Sequence, residues 1–157
     1  MKVRDIMTRE VVSCDKETTL AAAARLMLVG HFGTLPVVDD QGRLAGIITD
    51  RDIALAAAAL DKSAGHIAVH EVMTPTVRRC FSDDDVDAVL KQMAEARVRR
   101  LPVIDPAGHV AGIVSIDDIV RRALDRPKGV ASIAFVRAMV QICSQPSLEP
   151  DIDGTAS

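Results

Sequence analysis

Tryptophan and tyrosine are absent from this 157-residue chain, and phenylalanine occurs three times. A planar ligand must therefore be held by aliphatic side chains and backbone, which excludes the aromatic platforms of single-strand nucleic-acid binders. Cysteine is sparse as well. Cys14, Cys80 and Cys143 are odd in number and widely spaced, which fits reduced thiols better than a disulfide framework. No apolar run approaches the roughly 18 residues of a membrane span. The opening MKVRDIMTRE has no apolar signal core and predicts a cytoplasmic chain. A net charge of −3 argues against a general nucleic-acid-binding surface. No phosphate-cradling GxxxxGK[ST] loop, GxSxG elbow or GxGxxG fingerprint occurs, and no nucleophile has an identifiable base beside it. The sequence predicts no enzyme and no catalytic cofactor. What is present is 48% apolar and 26% charged residues, the balance of a folded globular chain.

The strongest positive signal is an internal repeat. A shift of 66 residues lays VRDIMTREVVSC (3–14) on VHEVMTPTVRRC (69–80), and TLPVVDDQGRLAGIITDRDI (34–53) on RLPVIDPAGHVAGIVSIDDI (100–119), with no gap. Met7/Met73, Thr8/Thr74, Cys14/Cys80, Pro36/Pro102, Gly46/Gly112 and Asp52/Asp118 are identical pairs. Two copies of one unit are expected.

Each copy reads alike. Val11–Ser13 and Val77–Arg79 are short strand candidates. A helix follows, with Leu20, Ala24, Met27 and Leu28 on one stripe in the first copy and Val86, Leu90, Met93 and Ala94 in the second. Ser82 and the run Asp83–Asp85 read as an N-cap with dipole compensation. Two strands come next, joined by DDQG or DPAG, whose glycine marks a hairpin turn. A second helix starts near Arg51 and Asp117. The fold class is thus α+β: two pseudo-symmetric repeats of β-α-β-β-α order, packed through their sheets, plus a C-terminal helix. The expected boundaries are 1–62 and 66–125 for the repeats, 129–144 for the helix, and 145–157 for a frayed tail. Each half is too small to bury much alone. The terminal helix is expected to dock on its own subunit or on a neighbour.

These repeats resemble a pair of cystathionine-β-synthase (CBS) domains, the Bateman module, in its small stand-alone bacterial form. DIMT (5–8) and EVMT (71–74), the LPVVD and LPVID strands, and GIITDRDI (46–53) with GIVSIDDI (112–119) carry the likeness. The resemblance implies an adenosine-containing ligand in clefts between the two copies, a flat homodimer, and a sensor or regulator read by a downstream protein. AMP is the first expected ligand, ahead of ADP, ATP, NAD and S-adenosylmethionine.

The resemblance makes Thr49 with Asp52, and Ser115 with Asp118, the ribose and phosphate contacts. A carboxylate at a helix start can accept from both ribose hydroxyls, while a nearby hydroxyl and free helix N–H groups hold a phosphate. The same Thr/Ser-x-x-Asp spacing also matches a capping box, and both roles can coexist. Just before the LPV strand the second copy has Arg99 and Arg100 where the first has Gly33 and Thr34. Arg100 is therefore expected to anchor a phosphate in the Asp118 cleft, leaving the Asp52 cleft to a less charged ligand, to weak binding or to none. The alternative is a solvated helix end. Arg51 either charges the Asp52 cleft or faces solvent. Adenine is expected against Thr8–Val12 and Thr74–Val77, with Val37 and Val103 as apolar walls.

Other groupings carry less. His66 and His70 have metal-ligand spacing but no evident third ligand, so no metal is expected. Cys14 and Cys80 are expected as buried thiols that approach the pseudo-twofold axis. The competing reading is a structural or interaction dimer with the terminal helix as its partner surface.

Overall fold

Each repeat makes a three-stranded sheet with its strands side by side in chain order. The computed structural model describes residues 1–125 and 133–143. The expected tail, 145–157, and the first residues of the expected terminal helix lie outside them. In the first repeat β1 (Cys14–Asp15) pairs parallel to β2 (Thr34–Val38), which pairs antiparallel to β3 (Leu44–Thr49). Helix α1 (Leu20–Gly30) joins β1 to β2, and α2 (Asp50–Ala59) follows β3. The second repeat copies this with β4 (Cys80–Phe81), α3 (Val86–Ala96), β5 (Arg100–Ile104), β6 (Val110–Ser115) and α4 (Ile116–Asp125). A final helix, α5, spans Ile133–Cys143.

The first strands begin three residues later than the sequence reading of Val11–Ser13 and Val77–Arg79. Val11 and Val77 belong instead to the segments that cross between the repeats, where no β2 or β5 partner is available. The hairpin turns form as expected, with Gly42 and Gly108 in the left-handed region at φ +74° and +92°, where glycine has no Cβ penalty. Asp39 braces the first turn by accepting from the backbone N–H of Gln41 and Arg43, each at 2.9 Å. Asp105 braces the second by accepting from the His109 N–H, also at 2.9 Å. The two turns meet through the Leu44 N–H and the Gly108 carbonyl at 2.9 Å.

Two stretches depart from the sequence reading. On α1 the buried stripe is Leu20, Ala23 and Met27, and Leu28 is 74% exposed. On α3 the N-cap is Asp85, whose side chain makes no capping bond. The three aspartates serve the N-terminal segment and the local turn instead. Asp83 pairs with Arg4 and Asp85 with Lys2, while Asp84 accepts from the Phe81 N–H at 2.8 Å.

That N-terminal contact shows how the repeats interlock. Val3 is fully buried in the core of the second repeat, among Val86, Leu90 and Met93. Its counterpart Val69, with Ile67, is fully buried in the core of the first repeat, among Leu20, Leu35 and Ile48. Each repeat's leader therefore completes the other repeat's core. The leaders also extend the opposite sheets. Thr8 and Ile113 exchange both backbone hydrogen bonds at 2.9 Å, and Thr74 and Ile47 do so at 2.9 and 3.0 Å. Gly46 and Gly112 permit this approach. A Cβ on Gly112 would lie 2.8 Å from the Thr8 carbonyl oxygen, and one on Gly46 would lie 2.7 Å from the Met73 sulfur.

Helix α5 docks on its own chain, beside α3, with Ala138 and Ile142 buried in the second core. Among the described residues, no helix is long and apolar enough to cross a membrane.

Candidate functional site

The crossing of the leaders creates two clefts, each floored by the start of a helix. At the head of α2, Asp52 Oδ2 accepts from the Thr49 N–H at 2.9 Å and from the Thr49 hydroxyl at 2.7 Å. The Asp52 N–H donates back to Thr49 Oγ at 3.2 Å. At the head of α4, Asp118 Oδ2 accepts from Ser115 N–H and hydroxyl at 2.8 and 2.6 Å, with the return bond at 3.2 Å. Both pairs are thus reciprocal caps. Each leaves its second carboxylate oxygen, Oδ1, without a hydrogen bond among the described residues. Both aspartates are half-buried. The cap fixes one oxygen of each carboxylate, and both aspartates line their clefts.

The Asp118 cleft measures about 220 Å³. Ser115, Asp118, Arg100 and Ile113 come from the second repeat. Thr8, Glu10, Val11 and Val12 of the first repeat's leader cross to face them, with Phe32 and Thr34. The Asp52 cleft is larger, about 900 Å³, and follows the same plan with the repeats exchanged. Thr49, Asp52 and Ile47 face Thr74, Thr76, Val77 and Arg78 of the second leader. Arg51, Arg97, Arg99 and Arg100 add to its wall, and Ile142 of α5 borders it.

Most expected site residues are therefore brought together. Thr8, Val12, Arg100, Ser115 and Asp118 share one cleft, and Thr49 and Asp52 share the other with Thr74 and Val77. Two expectations need correction. Val37 and Val103 are 0% exposed. They lie on the same face of β2 and β5 as Leu35 and Leu101, inside the two cores, and wall neither cleft. Arg99 borders the Asp52 cleft and not the Asp118 cleft, while Arg100 borders both and donates to Thr34 Oγ1 at 3.4 Å. Arg100 thus meets the Asp118 cleft as expected, whereas Arg99 falls in the other one because each cleft draws on both repeats. Arg78, Phe32 and Ile142 went unnoticed. Only Arg78 carried a signal, as the basic counterpart of Val12 under the 66-residue shift.

The thiols offer no nucleophile at these clefts. Burial, with some help from Asp15, pushes the Cys14 thiol up to about 11. Burial, with a contribution from Asp84, pushes Cys80 up to about 12. Both stay protonated at neutral pH. Both are buried, as expected, in separate cores, and they are free thiols not paired with each other.

A CBS domain family model matches residues 3–59 and 69–125, and the chain belongs to that family as a tandem pair. Hypoxic response protein 1 of Mycobacterium tuberculosis is 33% identical over 145 residues, covering 92% of this chain and 96% of that protein. A solved CBS domain pair in complex with 5′-methylthioadenosine and S-adenosyl-L-methionine is 31% identical, with a TM-score of 0.72 over 80% of this chain and 98% of that one. CBSX2 in complex with AMP is 27% identical, with a TM-score of 0.68 over 79% of this chain and 96% of that one. The chain spans only 23% and 22% of the length of two larger curated relatives that bear enzyme names.

Proposed function

We propose that this chain is a non-catalytic, cytoplasmic regulatory module that binds an adenosine ligand between its two CBS repeats, with AMP as the first ligand. One observation carries the reading. Asp52 and Asp118 are each held by a reciprocal cap that leaves one carboxylate oxygen unbonded at a cleft. That arrangement suits a ribose diol, which presents two donors to one acceptor group. Similarity to pairs solved with adenosine ligands supports it. In the Asp118 cleft, Ser115, Asp118 and Arg100 hold ribose and phosphate, and the Thr8–Val12 backbone holds the base. Because each cleft spans both repeats, a bound ligand favours one packing of the repeats over another, by its differential affinity for the two. A downstream protein reads that change.

The working form is a homodimer. Leu28, Val29 and Leu55 lie bare on α1 and α2, whereas α5 covers the matching face of α3. A second copy seated on the bare face removes that apolar surface from water.

The test is thermal unfolding with AMP. At 100 times its Kd, a ligand that binds only the folded state adds about 2.7 kcal/mol of stability. Asp118→Ala is expected to lose most of the shift. A mutant that responds like the native chain overturns the assignment of Asp118.

A further inference from the structure

We infer that the Asp52 cleft is built for a nucleotide with a chain of two or more phosphates, reversing the charge order expected from the sequence. The inference rests on the reading of this cleft as an adenosine-ligand site and names the ligand class it takes. Arg51, Arg78, Arg97, Arg99 and Arg100 all border this cleft, against the two acidic residues Asp50 and Asp52. The Asp118 cleft has Arg100 alone, set against Glu10 and Asp118.

Their isolation matters as much as their number. Lys2, Arg4, Arg43, Lys62 and Lys91 each meet a carboxylate. None of the five cleft arginines is in an ion pair among the described residues. Arg100 donates to Thr34 Oγ1, and Arg99 reaches Cys143 Sγ at 4.0 Å. In a chain of net charge −3 with 22 acidic residues, five arginines around one cleft against two aspartates give it a net positive charge that suits an anion. Guanidinium forks match phosphate oxygens in geometry as well as charge.

The arginines come from three separate segments around the cleft. Arg51 stands at the head of α2 beside the ribose-binding Asp52. Arg78 lies on the second leader. Arg97, Arg99 and Arg100 follow the end of α3. A cleft of about 900 Å³ lies within the range that holds whole cofactors. One phosphate uses one or two such groups, so a single phosphate leaves the rest unsatisfied.

The experiment is equilibrium dialysis of the full chain, with ligand read at 260 nm, where a protein without Trp or Tyr adds little background. Asp118→Ala reports on the Asp52 cleft. In it, affinity is expected to rise from adenosine to AMP to ATP, with ATP about 100-fold tighter than adenosine. Added salt is expected to weaken ATP far more than adenosine. The Arg51→Ala/Arg78→Ala double variant, whose two arginines are exposed, is expected to bring ATP to within about threefold of AMP. Equal affinity for adenosine, AMP and ATP overturns the inference, as does an unchanged ATP affinity in the double variant. Tripolyphosphate, followed by calorimetry, separates the two readings. Tripolyphosphate binding that needs Arg51 and Arg78, with no adenosine bound by any variant, supports the anion cleft and removes the adenosine reading. If neither tripolyphosphate nor any nucleotide binds, both fall.

Discussion

Asp52 and Asp118 make the same three bonds to the residue three places before them, yet the spaces they face are unlike. One cleft is wide and basic, the other narrow and close to neutral. The repeats agree wherever backbone geometry is demanding: the capped helix starts, the glycines of β3 and β6, and the Pro36/Pro102 strands. They diverge at the walls, where Thr34 faces Arg100, Val12 faces Arg78, and Gly33 faces Arg99 under the repeat shift. Frame residues are constrained by close approach and hydrogen bonding. Wall residues are constrained only by what enters, so duplication leaves them free to part.

The same contrast appears outside the clefts and yields the largest expected effect. Ala94 and Leu28 are repeat equivalents, but Ala94 is 4% exposed, in the core that α5 joins, while Leu28 is 74% exposed. Ala94→Glu buries an unpaired carboxylate and is expected to cost about 3–5 kcal/mol in urea unfolding. Leu28→Glu is expected to change the stability of the single chain by no more than about 0.5 kcal/mol, while lowering the mass seen by sedimentation. Equal losses from the two variants would break the comparison.

A smaller difference is expected at the glycines. A Cβ at position 112 lies 2.8 Å from the Thr8 carbonyl oxygen, which cannot swing aside, whereas at position 46 the Thr74 carbonyl oxygen is 3.0 Å away and the nearest atom is a flexible methionine sulfur. Gly112→Ala is expected to cost about 2–3 kcal/mol and Gly46→Ala about 1–2, by chemical denaturation. The reverse order would show that Met73 is the more rigid neighbour.

The smallest effect sharpens the comparison by predicting no difference. Backbone N–H bonds, from Arg43 to Asp39 and from His109 to Asp105, are the leading cause that holds both carboxyls below their ordinary value. A depressed folded value stabilises the fold above the unfolded carboxyl range near about 4. That contribution is lost as pH falls through the folded value. Both carboxyls are half-buried in turns at the surface, where solvent screens them, so the effect is small. Asp39→Asn and Asp105→Asn are expected to flatten the acid side of the stability profile to a similar degree.

Much of this was legible in the chain. The LPV and GII/GIV strands, the Gly42 and Gly108 turns, and the Thr49–Asp52 and Ser115–Asp118 pairs fall where pattern and spacing put them. Leu28 misled because an alanine-rich helix offers several stripes of similar hydrophobicity, and only packing chooses one. Asp83–Asp85 misled because capping chemistry is local, whereas their partners Lys2 and Arg4 lie in the other repeat's leader. Val37 and Val103 misled because strand position alone does not say which face of the sheet a cleft occupies.

The sequence by itself determined a duplicated unit, its element order and its capped helix starts, since periodicity, turn glycines and cap spacing act over a few residues. Only the tertiary structure decided that each leader crosses into the opposite core, that Arg99 faces Asp52, and that α5 covers one helix face and leaves its twin bare. Those facts depend on contacts between residues tens of positions apart, where burial and close approach select the partner and local pattern carries no record of the choice.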